Sequence, residues 1–373
     1  MKLTYTSEAI LTHKVNYSVQ EVYIFMYIKN AIRLCVCFFS LIFSSMGQDA
    51  VFSQYYSSSL YLNPALAAAE PATSVSVNSR VQWKSVVTPY TTNQASLIVP
   101  IYRSSKKDIN LGGIGLSVFQ NKAGDIGLTS TGVNLTGAFV LPLNEKNHIL
   151  TGVQVGFMQK TIDFSKGQWG TQFDPVNGFN STIASGEYNF VASHTYPDVS
   201  FGAVYYNNPR RDIRERGQSF YVGYSAYHFN RPNESVIVGQ SSALPVLNKF
   251  IAGGEYSVTE RWNISPNVLV AIQNTSMQIN VGLYGTYSLG NADMNGMIPS
   301  KLIAGVWYRV KDSYIGSIGF GSKFYTIGFS YDMNSSTLRQ NSSAKGAGAY
   351  EISIKISSPR IQKIQRVYQT PRI

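Results

Sequence analysis

The sequence predicts an all-β chain: a transmembrane antiparallel β-barrel of about 14 strands (roughly 12–16), preceded by a cleaved signal peptide. Three observations carry this. Charged residues make up 14% of the 373, against roughly 25% in an ordinary soluble domain. Aromatics reach 13%, with 25 Tyr and 19 Phe. Apolar and polar residues alternate with period two in segment after segment, which places one face of each strand in each of two environments. Mean hydropathy is −0.06, and beyond the leader no run of about 18 apolar residues exists to span a bilayer as a helix. So many aromatics with so few charges also exclude a disordered chain.

Residues 1–47 read as a leader, with the signal peptide at 26–47. Lys29 and Arg33 supply its basic start, Leu34 to Phe43 its apolar stretch, and Ser45 and Gly47 the small side chains of a cleavage site. Cleavage is expected between Gly47 and Gln48, with Met26 as the expected initiator. Both cysteines, Cys35 and Cys37, fall in this leader, so the mature chain has no disulfide frame, thiol nucleophile or Cys-ligated metal. Removing the leader's four basic and two acidic residues leaves 27 basic and 18 acidic residues, a net of +9.

The alternating segments span 74–83, 92–101, 111–120, 130–141, 148–161, 197–206, 219–228, 248–257, 266–274, 277–289, 301–310, 314–321, 324–332 and 349–357. In one of the clearest, Tyr350, Ile352, Ile354 and Ile356 alternate with Glu351, Ser353, Lys355 and Ser357. Most segments approach the roughly 9–11 residues of a spanning strand, whereas strands of soluble sandwiches average nearer five or six. Gly156, Gly282, Gly328 and Ser330 on the presumed inner face suit a curved wall with polar contents. The three longest connections, 162–196, 229–247 and 333–348, all follow odd-numbered strands. That is the outward side if both termini are periplasmic. A secreted β-sandwich would have no reason to sort its loops this way, and would leave many Tyr, Phe and Ile facing water. The organisation is therefore a periplasmic N-terminal segment at 48–73, the barrel at 74–357, and a basic tail at 358–373.

Chemistry is sparse. His148, His194 and His228 are scattered, with no His-Glu-x-x-His arrangement for zinc and no Ser coupled to them for a hydrolase. Gly112-Gly113-Ile114-Gly115 sits inside a strand pattern, so close strand packing explains it better than a phosphate cradle. No catalytic residue, cofactor or metal site is expected. Two basic clusters remain, Arg210 to Arg216 on a predicted turn, and Arg360, Lys363, Arg366 and Arg372 in the tail. In an exported barrel these suit periplasmic partners or anionic headgroups, not nucleic acid.

The mature start, Gln48 to Tyr56 followed by Leu60-Tyr61-Leu62-Asn63-Pro64-Ala65, resembles the opening of the PorP/SprF family. These are outer-membrane proteins of the type IX secretion and gliding machinery of Bacteroidota. The likeness continues through Arg80-Val81-Gln82-Trp83, Pro89-Tyr90-Thr91-Thr92, Gly112 to Gly115, and Tyr221 to His228 with Arg231-Pro232-Asn233. It ends with Val306-Trp307-Tyr308-Arg309, Ile327 to Asp332, and Gly348 to Ile352. The upstream 25 residues, the alanine run Ala65 to Ala69 and the long basic tail depart from the family pattern.

The resemblance implies a non-enzymatic outer-membrane component that assists export or surface retention of a partner, such as an adhesin with a C-terminal sorting domain. It also implies contact with outer-membrane lipid and with periplasmic parts of the secretion machine. An outer-membrane channel for small or hydrophobic solutes is the alternative. Candidate partner contacts are Trp169, Phe173, Phe179 and Tyr188 in the longest external loop, since aromatics are enriched in binding hot spots. Phe52, Tyr55, Tyr56 and Tyr61 in the N-terminal segment, and Arg360, Lys363 and Arg366 in the tail, complete the set. The N-terminal aromatics are expected either to plug the lumen or to tuck against its rim.

Overall fold

A computed structural model describes residues 49, 51–84, 88–103, 110–174, 176–186, 190–207, 218–290, 300–335 and 348–358. Its framework is a closed barrel of fourteen antiparallel strands. In chain order these are β1 (Ser74–Gln82), β2 (Tyr90–Tyr102), β3 (Asn110–Ala123), β4 (Leu128–Pro142) and β5 (Asn147–Thr161), then β8 (Ser193–Asn207), β9 (Gln218–Tyr227), β10 (Leu247–Ser257) and β11 (Trp262–Gln273). The rest are β12 (Ser276–Ser288), β13 (Lys301–Arg309), β14 (Ser313–Gly321), β15 (Tyr325–Asn334) and β16 (Gly348–Ser357). All fourteen expected segments appear. Each strand pairs with its neighbour in the chain, and β16 returns to β1 through partners from Ser74↔Ser357 to Gln82↔Ala349. Closure leaves no free sheet edge, which a membrane-spanning sheet requires.

The wall inverts the soluble pattern. On β16, Ile352, Ile354 and Ile356 are exposed while Glu351 and Ser353 are fully buried. On β1, Val75 and Val77 face out while Ser76, Asn78 and Arg80 face in. An apolar outer band with polar groups turned inward is what lipid selects. The inner wall is less uniformly polar than the sequence suggested: Ile98, Leu150, Val204, Ile251 and Leu269 also point inward and are buried.

Both termini of the barrel lie at one end. The described residues of the connections 162–192 and 228–246 lie at the other, the outer mouth in the expected orientation. The longest contains a small ribbon that the alternation did not reveal, β6 (Phe173–Asp174) paired with β7 (Gly178–Phe179). It is too short to carry a periodic signal.

If Ile354 faces lipid near mid-membrane, Ile354→Arg should cost about 2–4 kcal/mol. Urea titration of the barrel in lipid vesicles measures it, and unchanged stability would contradict this register.

Candidate functional site

The sequence placed residues 48–73 on the periplasmic side. In the structure, the described part of this segment runs inside the barrel instead. From Phe52 to Leu66 it makes bonds or close contacts with opposite walls, because the inward polar groups of those walls need partners that the strands do not supply.

At the outer half, Ser53 and Gln54 complete a buried charge network. Arg80 of β1 pairs with Asp332 of β15 at 2.7 Å and approaches Glu351 of β16 at 3.6 Å. Arg309 of β13 reaches Asp332 at 3.1 Å. The Ser53 hydroxyl donates to Asp332 at 2.9 Å and accepts from both arginines. Glu351 accepts from the backbone N–H groups of Ser53 at 2.6 Å and Gln54 at 3.1 Å, and from Asn78 at 3.1 Å. Gln54 Nε2 donates to the Glu351 carbonyl at 2.9 Å, and Ser353 donates to Gln54 Oε1 at 2.5 Å. Two guanidinium groups thus face two carboxylates. Charges this deeply buried are tolerated when paired and hydrogen-bonded, and of the two guanidinium groups only Arg80 leaves a nitrogen, Nε, without a hydrogen-bond partner.

The chain then crosses the lumen. One helical turn, Ser59–Leu62, brings its carbonyls to the opposite wall, where Leu60 accepts from Tyr227 at 2.8 Å and Leu62 from Ser225 at 3.0 Å. Lys249 Nζ donates to the Tyr61 carbonyl at 2.6 Å and stands over the Tyr61 and Tyr227 rings at 4.1 and 4.3 Å.

Below this the contact becomes apolar and close. Asn63 caps the 3-10 turn Pro64–Ala69 by accepting from Ala65 N at 2.9 Å, and donates to the Tyr224 carbonyl at 3.0 Å. Ala65, Leu66, Ala67 and Ala68 pack with Ile98, Ala138, Leu150 and Val204 in one buried cluster. The wall makes room with glycine. A Cβ on Gly152 would lie 2.6 Å from Ala65 N, one on Gly115 2.7 Å from Leu60 Cδ1, and one on Gly202 would meet Asn63 Oδ1. Gly113 likewise faces the Ala67 carbonyl. So Gly113 and Gly115 serve the close approach of this inner segment, not strand packing as the sequence suggested. Glu70 pairs with Lys355 at 2.8 Å before β1 begins.

The segment's other end reaches the outer mouth. The Asp49 carboxylate lies 2.7 Å from His228 Nε2, and His228 Nδ1 lies 2.8 Å from Asp198 of β8. The alternation had put His228 on a strand. It lies one residue past β9, at φ 57, with Arg231 following at φ 46. Side chains rarely adopt this left-handed conformation, which costs of order 1–3 kcal/mol. Here the turn aims the imidazole between two carboxylates. Burial opposes the ring's charge, but Asp49 and Asp198 outweigh it and raise the His228 pKa to about 10. Burial likewise disfavours the Asp49 carboxylate, yet His228 and Lys249 hold it below the usual range. Both ring nitrogens are committed to carboxylates, so the imidazole anchors charge and does not shuttle protons.

Of the sequence-predicted contacts, Phe52 and Tyr55 are buried in the lumen and Tyr61 packs edge-on to Phe52 at 5.4 Å between ring centres. Tyr55 meets Trp307 of β13 at 5.0 Å. Burial raises the phenol pKa of Tyr55 and Tyr61, keeping both neutral. In the outer loop, Phe173 and Phe179 are exposed and face each other at 5.6 Å. Trp169 instead braces the loop, packing on Phe164 at 6.0 Å with its Nε1 donating to the Phe164 carbonyl at 3.3 Å. Gly47, Gln48, Tyr188, the Arg210 to Arg216 cluster and the tail with Arg360, Lys363 and Arg366 lie outside the described residues, as does the side chain of Tyr56. Sequence reasoning missed Ser53, Gln54, Asn78, Arg80, Arg309, Asp332 and Glu351 as one network, and Asn63 as the link to β9. The signal available was charge on the inward face of β1, β13, β15 and β16.

Two outcomes are expected. Wild-type barrels in planar bilayers should be electrically silent, whereas Gly202→Leu should displace the inner segment and conduct; a silent, folded variant would contradict the cradle. The His228 latch contributes fully below pH 6.5, the ordinary value, and is lost as pH rises through about 10. Protease access to residues 49–52 should therefore increase above pH 10 in the wild type, but not change with pH in Asp49→Asn.

The profile of a family described as type IX secretion system membrane protein PorP/SprF matches residues 44–356. Among solved structures, the Pseudomonas putida toluene transporter TodX is similar at 11% identity and TM-score 0.46, covering 84% of this chain and 98% of its own. A Pseudomonas aeruginosa FadL homologue is similar at 12% identity and TM-score 0.45, covering 81% and 94%. The monoaromatic hydrocarbon channel CymD is similar at 13% and 0.43, covering 85% and 96%. No curated protein matches. The profile spans most of the chain, including the inner segment and all fourteen barrel strands up to Ile356, and the chain therefore belongs to the PorP/SprF family of type IX secretion system membrane proteins.

Proposed function

We propose that the chain is a non-enzymatic outer-membrane component of a type IX secretion system. It assists export of a secreted partner, or holds it at the cell surface, and an adhesin with a C-terminal sorting domain is the expected kind. The observation that carries this reading is the occupied lumen. Bonds from Ser53 and Gln54 to β15 and β16, and from Leu60 to Asn63 with β8, β9 and β10, cross the space a solute would need. A small-molecule channel is correspondingly disfavoured, and the working surface passes to the outer mouth.

There the loop 162–192 is tied to the loop 228–246 by Val191 N donating to the Val236 carbonyl at 2.8 Å, and Lys160 at the end of β5 pairs with Glu234 of the second loop at 2.6 Å. Its ribbon presents Phe173, Val176 and Phe179 to the outside. We assign the partner contact to these three residues, with Trp169 as their support. Export through a leader ending at Gly47, and contacts of Arg360, Lys363 and Arg366 with periplasmic machine parts or anionic headgroups, belong to the same proposal.

Replacing residues 164–190 by a short Gly-Ser linker should leave a heat-modifiable barrel in the membrane and release the partner into the medium. Unchanged retention would remove this loop from the interface. A strain lacking the whole barrel that still retains every surface protein would sink the reading.

A further inference from the structure

The two side chains bonded to Asp49 both come from the barrel, His228 just past β9 and Gln273 on β11. His228 is fixed by Asp198 from the wall through its Nδ1 at 2.8 Å, whether or not Asp49 is present. Lys249 of β10 acts on Asp49 electrostatically and is itself stacked against Tyr227. Gln273 of β11 accepts from the Asp49 N–H at 3.2 Å. Nearby, Lys160 and Glu234 neutralise one another. The wall thus offers His228 Nε2 as a charge-assisted donor, its other nitrogen already held by Asp198, and an incoming carboxylate is the partner it takes.

The occupant is held differently from its receptor. The Asp49 side chain is 28% exposed, whereas those of His228 and Asp198 are 7% and 6%. The buried grip on the segment begins only at Phe52 and Ser53. Asp49 is therefore the most accessible member of the three.

We propose that this pocket is a carboxylate-recognition site at the outer mouth, filled in cis by Asp49 and exchanged for an acidic side chain of the secreted partner. The proposal rests on the surface-retention reading and supplies its chemistry. Asp49 acts as a placeholder that keeps the cationic pocket satisfied until the partner arrives. The net charge of +9 left after the leader favours an acidic partner in the same sense.

The test uses protein refolded in detergent with Phe52 as its first residue after Met, its fold checked by heat-modifiable migration. The probe is the acetylated, amidated peptide Gln-Asp-Ala-Val-Phe, titrated beside the same peptide with Asn for Asp. Saturable binding of the Asp peptide is expected. It should be at least about tenfold weaker for the Asn peptide, for His228→Gln in the truncated protein, and for the full chain whose pocket is already filled, the scale set by one charge-assisted hydrogen bond. Equal binding of both peptides, or none, overturns the site. Lys249→Met serves as a second variant should His228→Gln fail to fold.

In cells, His228→Gln at wild-type barrel levels should release the partner, as deletion of the barrel does. If deletion releases it and His228→Gln does not, the pocket is only a latch for Asp49 and the exchange is wrong. If deletion itself releases nothing, the retention reading fails, and the peptide result still decides whether the site exists.

Discussion

A closed wall that turns charges toward its own axis must neutralise them there, because lipid seals the other side. Arg80, Arg309, Asp332 and Glu351 come from four strands that cannot satisfy them alone. The backbone N–H groups of Ser53 and Gln54 and the Ser53 hydroxyl complete the set. An unpaired buried charge costs several kcal/mol, so the inner segment is as much part of the barrel's stability as the ladders are.

The segment divides its work by height. Near the outer mouth it satisfies charge, with Asp49 on His228 and Ser53 on Asp332. Toward the other end it fills volume, with Leu60, Ala65, Leu66 and Ala67 on a floor of Ile98, Leu150 and Val204. Glycines at 113, 115, 152 and 202 let backbone approach wall there. Polar contacts fix the register of the segment and apolar contacts hold it. Both together hold the segment across the lumen, between β15 and β16 on one side and β9 and β10 on the other.

The strands were readable because lipid on one side and polar groups on the other impose a strict period of two, as Tyr350 to Ser357 shows. Even the sorting of long loops could be read. That the N-terminal aromatics could enter the lumen was legible too, but not which wall groups they meet. Residues 51–71 have no periodicity of their own, and their partners lie far away in the chain: Asn63 meets Tyr224, Tyr61 meets Lys249, and Ser53 meets Glu351. Glycine on an inward face reads as curvature until the element that approaches it is known. His228 read as a strand residue because it continues the run from Tyr221. Its left-handed turn is imposed by tertiary bonds, among them Phe229 N donating to the Val199 carbonyl at 2.8 Å.

The grip of Glu351 on Ser53 spans 298 positions. Ser53 precedes every strand of the barrel, and Glu351 lies on the last. Until β16 has joined the sheet, the Glu351 carboxylate is not in place for the N–H groups of Ser53 and Gln54. The segment's final docking therefore belongs to the same late event as the pairing of β16 with β1, and contacts this distant in sequence are formed slowly.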